Sequence, residues 1–176
     1  MVIDQIIDGI KVWDGWAVKY KEFVPQFIEQ AINKSTWQEW DKKVFNEFFE
    51  KNRDQCVSSL QQGYYTIIEK SVIKENWTEL APLLKKIASQ QDELDLDTYA
   101  EIKKWLRKHT SQNRKASVNR LIASLQPELL CSIVNESSLR VLMQKINQLE
   151  PEANLKITGN WFKNSNTTLN YFKGKR

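Results

Sequence analysis

The sequence predicts a mostly α-helical, multi-helix globular fold, and three observations point there. Apolar residues recur at i, i+3, i+4 and i+7 along most of the chain, the period of a helix with one buried face. Only five glycines and four prolines punctuate 176 residues, of which 41% are apolar and 27% charged, a balance that fits an ordered, helix-rich protein. Seven tryptophans are anchors suited to the spaces between helices.

Taken in order, the first helix is expected from Val2 to about Trp13, with Val2, Ile3, Ile6, Ile7 and Ile10 on one face. A second segment runs from Trp16 to Phe23. Pro25 either kinks it or opens a new helix as its first residue, with Phe27, Ile28 and Ile32 turned inward. Thr36 and Glu39 have capping-box spacing, and the helix after them presents Trp37, Trp40, Val44, Phe45, Phe48 and Phe49. Residues 52–54 end it. A further helical stretch is expected from Gln55 through Val57, Leu60 and Tyr64, with Gly63 as a bend or stop. Asn76 and Glu79 read as a second capping box, ahead of Leu80, Leu83, Leu84 and Ile87.

Residues 89–97 form a polar connection with Asp97 as N-cap, and the helix to His109 turns Tyr99, Ile102, Trp105 and Leu106 inward. After a turn over 110–113, Val118, Leu121, Ile122 and Leu125 mark another helix, which Pro127 ends. The run from Leu129 to Val134 is either a short strand or buried extended chain. Asn135 caps a helix carrying Leu139, Leu142, Met143, Ile146 and Leu149. A final helix holds Trp161, Phe162, Leu169, Tyr171 and Phe172. Residues 1–55 read as an N-terminal helical segment and 56–176 as a helical domain with a basic surface, the two forming one compact unit.

The chemistry that is missing narrows the function. There is no G-x-x-x-x-G-K-[ST] phosphate loop and no G-x-S-x-G elbow. One histidine and two cysteines 75 positions apart do not assemble a zinc site of usual ligands. His109 reads as a helix C-terminal residue favoured by the helix dipole. Glu101-Ile102-Lys103, after Asp92, Asp95 and Asp97, resembles the E-x-K of metal nucleases. On a helix, however, residues 101 and 103 lie about 200° apart and do not converge on one ion. No catalytic residue, metal or cofactor is therefore expected. No apolar run approaches a membrane span, the N-terminus lacks a signal-peptide pattern, and Cys56 and Cys131 read as reduced. Together these place the chain in the cytoplasm.

The net charge of +4 conceals an asymmetry. Residues 1–101 carry 12 Lys/Arg against 18 Asp/Glu, and residues 102–176 carry 14 against 4. The basic excess is densest in IKKWLRKHTSQNRKASVNRLIASLQ, Ile102–Gln126, which contains no acid. Lys103 with Arg107, and Lys104 with Lys108, form two adjoining rows at i,i+4 on one helix. Arg114, Lys115 and Arg120 follow across the turn, and Ser111, Gln112, Asn113 and Ser117 add hydrogen-bonding groups. Three readings stay open: a solvated helix face, attraction to the acidic N-terminal half, or contact with a nucleic-acid backbone. Trp161, Phe162, Tyr64 and Tyr65 could stack a flipped base, but aromatics at helical spacing read first as core.

The segment NRKASVNRLIASLQPELLCSIVNESSLRVLM, Asn113–Met143, resembles a stretch ahead of the motor domain in bacterial AAA-family proteins of the methylcytosine-dependent restriction (McrB-like) class. Residues 56–63 (CVSSLQQG) and Asn160–Phe162 (NWF) are similar to that family as well. The resemblance implies an N-terminal domain of a longer ATPase or GTPase, acting beside a nuclease subunit and recognising or positioning DNA, including modified duplex. On that expectation the nucleic-acid-binding residues are Lys103, Lys104, Arg107, Lys108, Gln112, Asn113, Arg114, Lys115 and Arg120. The competing expectation is an assembly module that docks the motor ring or the nuclease without touching DNA.

Overall fold

The computed structural model describes residues 2–9, 14–58 and 64–175. Among them are nine α-helices and no strand: α1 Val2–Gly9, α2 Asp14–Asn33, α3 Lys42–Phe45, α4 Ile67–Glu75, α5 Trp77–Ala88, α6 Leu96–His109, α7 Lys115–Leu125, α8 Glu136–Leu149 and α9 Trp161–Lys173. The fold is all-α, as the apolar periodicity predicts. No helix among the described residues is long and apolar enough to cross a membrane.

α7 is the centre of the molecule. Every residue from Ser117 to Leu125 is buried, because α2, α5 and α6 all pack against it. A helix surrounded on all sides must bury its polar residues too, and each needs a partner. The Asn119 side-chain amide donates to the Val134 carbonyl at 3.0 Å, and the Ser124 hydroxyl donates to the Arg120 carbonyl at 2.7 Å. Just past the helix, buried Gln126 accepts from the Tyr99 hydroxyl and donates to the Gln90 carbonyl.

A second core region is aromatic. Phe27 of α2 stacks on Phe48 with centroids 3.8 Å apart, while Trp40 meets Trp77 edge-on at 5.4 Å and Phe49 meets Trp77 at 5.1 Å. The edge-to-face pairs suit the ring quadrupole. One continuous apolar cluster connects this region to α6, α7, α8 and α9, reaching from Ile3 to Phe162.

Several boundaries differ from expectation. α1 covers Val2–Gly9, and Ile6 points to solvent although Ile3 is buried; Ile10 to Trp13 and the side chains of Val2 and Ile7 lie outside the described residues. α2 runs unbroken through Pro25. The proline ring is on the exposed side, and burial of Val24, Phe27 and Ala31 holds the two flanking halves together. The single helix expected from Trp37 is instead a 3₁₀ turn, Trp37–Glu39, then α3, then a π turn at Asn46–Glu50. Asp41 restarts it by accepting from the amides of Lys43 and Val44 at 2.8 and 3.1 Å.

Residues 51–58 are not helical, and Asp54 and Ser58 have φ of 55° and 47°, so no helix begins at Gln55. Leu60 and Gly63 lie outside the described residues, and Tyr64 is non-helical. Asn76 does not cap α5, since its amide donates back to Val72 at 2.8 Å. The N-cap of α6 is Asp95 rather than Asp97: its carboxylate takes the Thr98 amide at 2.9 Å and the Thr98 hydroxyl at 2.6 Å. Leu149 is exposed at the end of α8, where the inward stripe has rotated away.

Candidate nucleic-acid interface

The basic run separates into inward and outward cations, and helix geometry decides which is which. α6 turns Tyr99, Ile102, Trp105 and Leu106 inward, so Lys104, Arg107 and Lys108 fall on the opposite side and are exposed. Lys104 and Arg107 make no ion pair among the described residues. Lys108 is 4.0 Å from the exposed Glu79 carboxylate, a weak contact in water. Lys103 lies half-buried at the edge, its ammonium 5.5 Å from the ring centroid of Phe162 in α9, within cation–π range. Lys115, at the start of α7, is exposed and 3.6 Å from Glu136. It borders a shallow depression of about 270 Å³ shared with Val134 and Asn135.

Three expected surface groups are turned inward. Arg120 is 2% exposed. Its guanidinium donates to the Phe48 carbonyl at 2.9 Å and to the Glu47 carbonyl at 3.4 Å. It ties α7 to the π turn, and no phosphate reaches it there. Ser117, expected as a surface donor, is buried beside it. Arg114 is also turned inward. Its Nε and Nη2 donate to the two oxygens of Glu69 at 3.2 and 2.8 Å, and the two side chains are 9% and 3% exposed.

Glu69 is the residue the sequence reading missed, although Thr66-x-x-Glu69 ahead of Ile73 has capping-box spacing. The box is formed: Glu69 accepts the Thr66 amide at 2.7 Å. The same carboxylate accepts the Ser111 amide at 2.8 Å and the Ser111 hydroxyl at 2.9 Å. Burial pushes the Glu69 carboxyl up, but the hydrogen bonds from Thr66, Arg114 and Ser111 outweigh it and hold its pKa at about 2. The Thr110 hydroxyl closes the turn, at 2.7 Å from the Leu106 carbonyl and 2.8 Å from that of Gln112. The α6–α7 turn is thus pinned at both ends, with Gln112 and Asn113 exposed at its tip.

The remaining candidates have structural surroundings. The His109 ring lies on Trp105 with centroids 4.4 Å apart, and its Nε2 is 3.5 Å from Glu79. Trp161, Phe162 and Tyr65 are buried in the core, while Tyr64 is exposed. Cys56 and Cys131 are free thiols, and burial, reinforced by Glu47, pushes Cys56 up to about 12. Glu101 is exposed on α6 and Asp95 is engaged in its cap. A separate depression of about 390 Å³ lies between Trp37, Trp40, Phe45 and Glu50. The Lys74 ammonium already stands over its Trp37 wall at 4.8 Å and pairs with Glu50.

Comparison with protein-family models, with curated proteins and with solved structures finds no match to this chain.

Proposed function

We propose that this chain is a non-catalytic DNA-recognition or DNA-positioning domain of an McrB-like restriction motor. In this reading Lys103, Lys104, Arg107, Lys108 and Lys115 neutralise backbone phosphates, and Gln112 and Asn113 face the bases. The observation that carries it is the outer face of α6, where Lys104 and Arg107 stand exposed without an ion pair among the described residues, beside a turn fixed by Glu69. A turn whose backbone is already fixed loses little conformational entropy on binding. Arg114 and Arg120 are turned into the protein and do not belong to that surface.

Anisotropy titrations of a duplex at several salt concentrations test the reading. Duplex binding should weaken as salt rises, with a log–log slope of about −0.9 per neutralised phosphate. The double substitution K104E/R107E should make that slope shallower by about 1.8 if each cation neutralises one phosphate. Unchanged affinity and slope in that variant would sink the proposal.

An assembly role is the second reading, and α8 favours it. Val141 and Leu149 are both exposed there, and a partner docked along α8 would cover both. A pull-down with the motor and nuclease subunits that is lost in V141S/L149S, with DNA affinity intact, would select this reading.

A further inference from the structure

The first turn of α4 exposes two adjacent isoleucines. Ile67 is 83% exposed and Ile68 is 76% exposed, with Tyr64 exposed three residues earlier. A lone apolar side chain on a surface is ordinary, but a neighbouring pair at a helix start forms a patch. Among the described residues α4 packs through Glu69 and Ile73, its buried residues, and not through this pair. The patch nevertheless has a fixed neighbour. Glu69 follows Ile68 directly and binds Ser111 and Arg114, so the isoleucines are held beside the turn that presents Gln112 and Asn113. α4 and α6 pack against each other as well.

We infer that Ile67 and Ile68 form the apolar part of the same surface, laid against the sugars and base edges of duplex DNA while the α6 cations hold the flanking phosphates. The inference rests on the DNA reading above. Charge selects this occupant. The patch lies beside the α6–α7 turn, and the exposed Lys104 and Arg107 of the helix leading into that turn, without an ion pair among the described residues, complement a polyanion. Apolar contacts to base edges and between base steps are an established means of groove binding.

Charge and apolar contact separate in a salt titration. Counterion release depends on phosphates neutralised, whereas apolar burial does not. The variant I67S/I68S should therefore bind duplex DNA about tenfold more weakly at every salt concentration, with the wild-type slope. Its thermal unfolding should be unchanged, since neither side chain is in the core. Wild-type affinity in I67S/I68S would overturn the inference and leave the DNA reading standing. A shallower slope would overturn it too, because it would mean lost phosphate contacts. Loss of self-association in sedimentation, with DNA affinity intact, would make the patch a protein contact and likewise overturn it. If the wild-type chain binds no duplex at low salt, the DNA reading fails first and this inference falls with it.

Discussion

Glu69 and Arg114 meet in a bidentate ion pair, Nε to Oε1 at 3.2 Å and Nη2 to Oε2 at 2.8 Å, across 45 residues of sequence. The pair joins the start of α4 to the start of α7, beside the α6–α7 turn. Its removal tests the fold and not the ligand. Taking away one partner leaves the other charge buried, which costs about 3–5 kcal/mol. E69A and R114A should each lower stability by an amount in that range in urea unfolding. The double variant should cost less than the sum of the singles, because the pair couples directly.

Acid should find the same pair. Glu69 is held at about 2 in the folded chain, against about 4.3 for an unperturbed glutamate. A depressed folded pKa contributes stability that is complete above the unfolded value and is lost as pH falls through the folded one. The contribution from Glu69 is therefore present above about pH 5 and fades between about pH 4.3 and 2. Unfolding midpoints measured across that window should fall less steeply for E69Q than for wild type.

Arg120 makes a sharper separation between core and surface. Burial pushes its guanidinium below the usual arginine range, and Nε has no hydrogen-bond partner among the described residues. The charge is thus retained at a cost, offset by two backbone carbonyls at the π turn. R120A opens a cavity and strips both carbonyls of their donor. R120M also loses the donor but keeps most of the volume and removes the buried charge. R120A should therefore be the less stable variant, by about 2 kcal/mol in denaturant melts. On the proposed DNA reading, R120M should keep the wild-type dependence of DNA affinity on salt under native conditions.

These residues also explain what the sequence could reveal. The periodicity of Tyr99, Ile102, Trp105 and Leu106 was enough to orient α6, and with it the exposed Lys104, Arg107 and Lys108. It could not orient α7. Helical spacing marks Val118, Leu121, Ile122 and Leu125 as one buried face, and implies a wet face opposite. Packing by α2, α5 and α6 removes that wet face, so Ser117, Asn119, Arg120 and Ser124 are core residues. Within the Asn113–Met143 segment that carries much of the family resemblance, residues 117–125 are consequently packing residues in this fold. Local capping patterns were ambiguous for a related reason. Thr66/Glu69 and Asn76/Glu79 have the same spacing, and tertiary contacts direct Glu79 to Trp105 instead, at 2.9 Å.

The run 129–134 shows how a strand-like sequence is satisfied without a strand. Its backbone bonds to side chains: Asn166 donates to the Leu129 carbonyl at 2.8 Å and Trp161 Nε1 to that of Ile133 at 3.0 Å. The Ser165 hydroxyl accepts the Cys131 amide at 2.9 Å, and Asn119 holds the Val134 carbonyl at 3.0 Å. A buried carbonyl left without its donor costs about 1–3 kcal/mol. N119A should lose stability in that range and loosen the junction between this segment and α8. Hydrogen exchange should then quicken at residues 131–135 more than in α6, which Asn119 does not hold. Uniform quickening across both regions would show that Asn119 supports the whole core instead of this one crossing.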